Sequence, residues 1–277
     1  MLESMKVSQL NLGFIGFGHM AKVICRSIEN ARIIPRSQIL FIQRDPGKMK
    51  RNEQEFGVTS SSLKTLVEKS DILLPAVRPN QMDLVMKDLV QAGFDGSKII
   101  VSIAAGLKMA YYQKHLGVHV PVLRLMPNMP SSVGEGMSIL SYNANVSKED
   151  KSLTTLLFSC LGEYVEIEES LMDIASAIAG CGPAFVFRMI EAMARLGEQE
   201  GMSYEKSLKI AAQTFLGAGK MLLRGGDPSQ LIQEIAVPGG MTEAGLKVMT
   251  AQNMDEHFQR AVLAAAKKSK QFSEEFS

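Results

Sequence analysis

The residues best suited to chemistry lie close to the start of the chain, in Gly13-Phe14-Ile15-Gly16-Phe17-Gly18-His19-Met20-Ala21. Gly16, Gly18 and Ala21 fit G-x-G-x-x-A, directly after an apolar run and at the opening of an amphipathic stretch. Each small residue answers a physical demand. The first glycine makes the tight turn, the second lets backbone approach a pyrophosphate, and the third position lets a helix press on a strand. The helix start then offers free N–H groups and the positive end of its dipole to phosphate oxygens. The chemistry implied is dinucleotide binding.

Which dinucleotide is read at the end of the second strand, about 20 residues further on. There Phe41-Ile42 runs into Gln43-Arg44-Asp45-Pro46. Gln43 stands where an acid selective for the ribose hydroxyls of NAD is often found. Arg44 carries the planar fork of donors that suits a 2′-phosphate. NADPH is therefore expected. A slightly shifted register would put Asp45 at the ribose, which keeps NADH open.

Three more segments fall at strand ends on one edge of the expected sheet, where this kind of fold binds ligands. They are Val77-Arg78-Pro79, Ala104-Ala105-Gly106 and Met126-Pro127-Asn128-Met129-Pro130. Later, Gly180-Cys181-Gly182-Pro183-Ala184 breaks and restarts a helix. Pro238-Gly239-Gly240-Met241-Thr242 does the same, with Thr242 near the next helix start, where free N–H groups suit a carboxylate. His115 and His119 have an i, i+4 spacing, but Gly117 between them ends the helix, and no Cys/His or carboxylate cluster suggests a metal. The serines lack a nucleophile-elbow context.

These residues need a scaffold, and the first half supplies a repeating one. Expected strands are Leu10–Ile15, Ile39–Gln43, Asp71–Val77, Lys98–Ile103, Pro121–Met126 and Met137–Ser141, with a last one near Tyr164–Ile167. Between them lie expected helices at His19–Asn30, Pro46–Glu55, Ser62–Glu68, Gln81–Gln91 and Leu107–His115, and from the Ser147 cap to about Leu161. Beyond Glu168 the segments Leu171–Ala179, Ala184–Gln199, Tyr204–Leu223 and His257–Phe272 all read as helix. The fold class is α/β: a Rossmann-like doubly wound sheet followed by an all-α domain. The division is placed at 1–166 and 167–277. The helical half carries small and apolar residues on several faces, which calls for several neighbours and points to a second copy of the chain.

The 277 residues, 46% hydrophobic and 21% charged, are ordinary globular material. A net charge of +1 gives no electrostatic reason for a nucleic-acid partner. The three cysteines, Cys25, Cys160 and Cys181, are widely spaced and suit a reducing compartment. Met1–Gln9 is short and polar, and no uncharged apolar stretch approaches the roughly 20 residues of a membrane span. A cytoplasmic protein without membrane contact is expected.

In order, the motifs resemble the pyrroline-5-carboxylate reductase family. The matching stretches are Gly13–Ala21, Ala76-Val77-Arg78-Pro79, Ser102-Ile103-Ala104-Ala105-Gly106, Arg124–Pro130, Gly180–Phe185 and Val237–Thr242. The resemblance implies a nucleotide-binding domain and a helical dimerisation domain interleaved with its twin, with higher oligomers left open. It implies Gly16, Gly18, His19 and Met20 on the pyrophosphate and Arg44 on the 2′-phosphate. It implies Val77, Arg78, Pro79, Ala104, Ala105 and Asn128 at the ribose and nicotinamide end. Gly239, Gly240 and Thr242 would hold the substrate's carboxylate and ring nitrogen, with Thr242 the candidate catalytic residue. The family usually has Lys at the place of Arg78, Ser at Cys181, Tyr at Phe185, Ser at Val237 and Thr at Met241. The last two remove hydroxyls from the substrate loop.

The implied reaction is hydride transfer from NADPH to the cyclic imine of 1-pyrroline-5-carboxylate, giving proline. Two alternatives remain open: reduction of another cyclic imine acid, and a non-catalytic relative that binds NADPH. A 3-hydroxyacid dehydrogenase shares the two-domain plan, but the one Lys-x-x-x-Asn pair, Lys48 with Asn52, lies in the wrong half.

Overall fold

The computed structural model describes residues 6–275. Met1–Met5, the first part of the stretch read as lacking a signal segment, lies outside the described residues. By packing, the chain divides into two compact units. One holds the residues up to Cys181 together with those from Ala265 onward, and the other holds Gly182–Ala264.

In the first unit β1 (Leu12–Ile15), β2 (Ile39–Ile42), β3 (Thr59–Ser60), β4 (Ile72–Pro75), β5 (Ile99–Ser102), β6 (Val122–Met126), β7 (Gly136–Tyr142) and β8 (Gly162–Glu166) form one sheet. Their order is β3-β2-β1-β4-β5-β6-β7-β8, so the order reverses between β1 and β4. Crossovers run through α1 (His19–Ala31), α2 (Pro46–Phe56), α3 (Leu63–Lys69), α4 (Met82–Gln91) and α5 (Met109–Leu116), and every pair from β3 to β6 is parallel. β7, by contrast, runs antiparallel to β6. The link between them holds only the short 3₁₀ segment Met129–Val133, too little chain for a crossover. The crossover through α6 (Lys148–Phe158) then makes β8 parallel to β7.

The sheet's central strands are buried on both faces, which their unbroken apolar runs require. On one face Phe17 sits against Phe14, Phe41 and Phe56, with ring centroids 5.5, 4.7 and 5.3 Å away. Such pairs contribute about 0.5–1.5 kcal/mol each beyond their buried area. This aromatic knot fixes the glycine turn from below. The helix ends follow their sequence signals. Ser62 and Ser147 accept the N–H groups of Thr65 and Asp150 as N-caps, and Gly117 ends α5 at φ +110°. α7 (Met172–Ala179) closes this part of the chain, so packing places 167–181 with the sheet although composition changes near 166.

The second unit is helical throughout: α8 (Gly182–Gln199), α9 (Tyr204–Leu223), α10 (Pro228–Ile235), α11 (Met241–Ala251) and the first part of α12 (Met254–Glu275). α10 was not among the expected helices. α8 and α9 form a hairpin whose buried seam is made of Ala194, Ser207 and Ala211. Gly197 brings the two backbones close, because a methyl group there would lie 2.4 Å from Ser207 Oγ. With a few charges allowed, Glu169–Gln199 is long and apolar enough to cross a membrane by composition. The helix is interrupted at Gly180-Cys181.

Candidate active site

The β1–α1 turn meets its sequence reading atom by atom. Gly16 takes φ +88°, and a Cβ there would fall 2.8 Å from the Ala76 carbonyl oxygen. No L-residue fits without moving β4. Gly18 is different: a Cβ would meet nothing nearer than 4.0 Å. The space over Gly18 is open to the cleft. Gly18 is also the N-cap of α1 and gives it no side-chain bond, so the first turn of a 13-residue helix keeps open donors. Ala21 is buried and lets α1 lie on the sheet.

A cleft of about 490 Å³ opens at this turn, at the strand ends where the sheet order reverses. It gathers Gly16, Gly18, Arg44, Val77 and Arg78 of the expected cofactor residues. Lys48 lines the same cleft and was not read from the sequence. Its signal was present: it lies one helical turn past Arg44, inside the first turn of α2. Asp45 also borders the cleft, but its Oδ1 accepts the N–H of Lys48 at 3.0 Å. That bond leads the influences that hold the Asp45 carboxyl below its ordinary pKa, followed on the lowering side by the Gly47 N–H and the charges of Lys48 and Arg51. Asp45 is the N-cap of α2, with Pro46 behind it in the first helical turn. Gln43 is tethered too, accepting from Asn52 Nδ2 at 2.8 Å. The cleft thus presents three exposed cations, Arg44 and Lys48 beside an acid already engaged and Arg78 after β4.

The remaining expected residues lie along the same sheet edge outside the cleft's lining. His19 Nε2 is 3.1 Å from Met129 Sδ, so the loop after β6 meets the start of α1. Met20 is half-buried beside the aromatic knot, and Pro79 opens the 3₁₀ turn Pro79–Gln81. Ala104 is buried in the unit's own apolar core, whereas Ala105 is half-buried in the loop after β5. Asn128 is buried and its amide is already bonded: Nδ2 donates to Ala179 O and Oδ1 accepts from Met137 N, each at 3.0 Å. It pins the β6 loop to β7 and to the end of α7.

In the second unit Gly239 takes φ +75°, and the turn closes with Gly240 N–H donating to Val237 O at 3.0 Å. Gly240 caps α11 without a side chain. Thr242 is the exposed second residue of that helix. Val237 and Met241 are exposed as well, Met241 by 94%. Within its unit, neither departure from the usual hydroxyls leaves a buried polar group unpaired.

Comparison with known proteins places the chain in a family. Residues 169–272 match the family model for pyrroline-5-carboxylate reductase dimerisation, and residues 11–106 match that for NADP oxidoreductase, coenzyme F420-dependent. The chain is 32% identical to pyrroline-5-carboxylate reductase 1 of Bacillus subtilis over 96% of its own length and 91% of the relative's. It is 32% identical to the Arabidopsis thaliana pyrroline-5-carboxylate reductase over 98% and 97% of the two chains. The crystal structure of Plasmodium falciparum pyrroline carboxylate reductase with NADP bound superposes with a TM-score of 0.87 at 32% identity, covering 96% of this chain and 99% of that one. On this evidence the chain belongs to the pyrroline-5-carboxylate reductase family.

Proposed function

We propose that this protein reduces 1-pyrroline-5-carboxylate to proline with NADPH. One observation carries the cofactor half: an uncapped helix start, a glycine with no internal steric reason, and Arg44 share a single cleft. Gly16, Gly18, His19 and Met20 take the pyrophosphate, and Arg44, now joined by Lys48, takes the 2′-phosphate. Val77, Arg78, Pro79 and the loop carrying Ala104 and Ala105 border the ribose and nicotinamide. Asn128 holds that border in place. NADPH when bound supplies the hydride.

For the substrate, the Gly239 N–H, in the turn that Gly240 closes on Val237, takes the carboxylate at the start of α11, and Thr242 contacts the ring nitrogen. The imine carbon gains the hydride while the protonated nitrogen keeps its proton and becomes a secondary amine. A protonated imine is already electrophilic, so orientation supplies most of what the reaction needs. By role, residues 1–166 bind the dinucleotide and 167–277 serve dimerisation and substrate, although 167–181 and the chain from Ala265 onward pack with the sheet. The active form is a cytoplasmic homodimer built through the helical domain. NADPH consumption with pyrroline-5-carboxylate tests this reading, run beside piperideine-carboxylate because Val237 and Met241 lack the usual hydroxyls. Preference for the six-membered ring would reassign the substrate, and cofactor binding without turnover of either would make the protein a non-catalytic relative.

A further inference from the structure

The loop proposed to take the substrate's carboxylate already faces a carboxylate of its own. Gly239 N–H donates to Glu243 Oε2 at 3.0 Å. The same oxygen lies 3.1 Å from Lys247 Nζ, one turn further along α11. Gly240 provides no cap, and its own N–H is turned back on Val237. Glu243, third residue of the helix, therefore reaches back past the cap position, one residue beyond the N–H that a capping-box glutamate takes. Its side chain is 36% exposed, so it is free to leave. An incoming carboxylate that used the Gly239 N–H would meet this charge head-on, and the two anions cannot share one donor.

We infer that Glu243 is a displaceable internal stand-in for the substrate's carboxylate. It holds the Gly239–Gly240 turn in its donating conformation and sets the affinity of the loop for carboxylate ligands. Lys247 receives Glu243 when the ligand displaces it, since the i, i+4 spacing keeps the two within reach on one helix face. Glu243 is a positioning and specificity residue, not a catalytic one. The inference rests on the reductase reading, and wild-type turnover of pyrroline-5-carboxylate tests that reading separately.

Glu243→Gln keeps a side-chain oxygen for the Gly239 N–H but removes the charge. It should lower the KM for the imine acid, and the Kd for proline in the NADP-loaded enzyme, by about threefold or more, the scale of one exposed charge interaction. kcat should not fall, and the KM for NADPH should stay within about twofold. Lys247→Ala should raise the substrate KM, and the double variant should match Glu243→Gln, because Lys247 acts through Glu243. A purely structural cap predicts the reverse sign, a KM that rises in Glu243→Gln together with a lower Tm, and an unchanged KM would equally overturn the inference. Should the variants fail to fold, isotope-labelled wild-type protein decides: proline added to the NADP-loaded enzyme must shift the Gly239 amide and Glu243 carboxyl resonances together. Movement of neither removes the stand-in.

Discussion

Lys48 donates its backbone N–H to Asp45 Oδ1 at 3.0 Å, and this bond separates two readings of the cofactor cleft that the sequence left open. An acid at the end of β2 can select NAD by binding ribose hydroxyls. Asp45 is instead fixed as the cap of α2. With Gln43 held by Asn52, the side chains of Arg44 and Lys48 are the cations left beside the end of β2.

Arg44→Ala should therefore raise the KM for NADPH about tenfold or more, since a hydrogen bond to a charged group contributes roughly 1.5–3 kcal/mol. The KM for NADH should hardly move. Lys48→Ala should show the same selectivity with a smaller effect, because an ammonium lacks the bidentate fork. Steady-state kinetics with both nucleotides checks this, and equal losses for the two would take Arg44 off the 2′-phosphate.

The same cap gives a pH signature. The Asp45 carboxyl is held below its ordinary pKa first by the Lys48 N–H. A depressed carboxyl stabilises the fold fully above its unfolded pKa of about 3.9, and that contribution is lost as pH falls through the lower folded value. Asn is also a good cap but does not titrate in this range. Acid unfolding curves should thus show a loss of stability below about pH 4 that Asp45→Asn lacks at this position. Overlapping curves would mean that the cap does not couple to protonation.

Beneath the loop after β5, the guanidinium of Arg124 is almost fully buried and pairs with Glu169 at 3.0 Å. Glu169 also accepts the Met109 N–H at 2.7 Å, which anchors the start of α5. Removing one partner of a buried pair leaves a charge without compensation, at a cost of about 3–5 kcal/mol. Glu169→Ala should approach that figure in denaturant unfolding. Arg124→Met should cost less, since Glu169 keeps a backbone donor and some contact with water. The reverse ranking would show that the pair is solvated.

Much of this was legible in the chain itself, for reasons that differ by residue. Gly16 and Gly117 announced their turns because only glycine takes those φ values cheaply. Asp45-Pro46 carried the signal of a cap followed by proline, although its position at a cofactor cleft invited another reading. β3 has two residues and no pattern to detect; it exists through its pairing with β2. The role of Asn128 depends on Ala179, far along the sequence, whereas the antiparallel β7 follows from the short link after β6. α10 lies between Pro228 and Pro238, too short a stretch for a periodic pattern to stand out.

The helical unit leaves large apolar side chains in solvent when taken alone. Phe187 on α8 and Ile210 on α9 are each more than half exposed. In a homodimer through this domain such residues become anchors, each contributing about 2 kcal/mol or more. Phe187→Glu and Ile210→Glu should raise the dimer dissociation constant at least about thirtyfold apiece. Light scattering across a dilution series should show monomers where the wild type remains dimeric. An unchanged mass in both would place the interface elsewhere.

Thr242 offers the sharpest separation of binding from turnover. It stands in the first turn of α11 beside the proposed carboxylate donor and lies in a different unit from the glycine turn. Thr242→Ala removes one hydroxyl and leaves the backbone donor in place. NADPH binding, followed by quenching or calorimetry, should be intact. kcat with pyrroline-5-carboxylate should fall about tenfold or more, the worth of one hydrogen bond to the charged ring nitrogen. Thr242→Ser keeps the hydroxyl and should restore most of the rate, which a loss of methyl packing alone would not allow. Unchanged turnover in Thr242→Ala removes the residue from the mechanism, and the ring nitrogen must then take its partner from water.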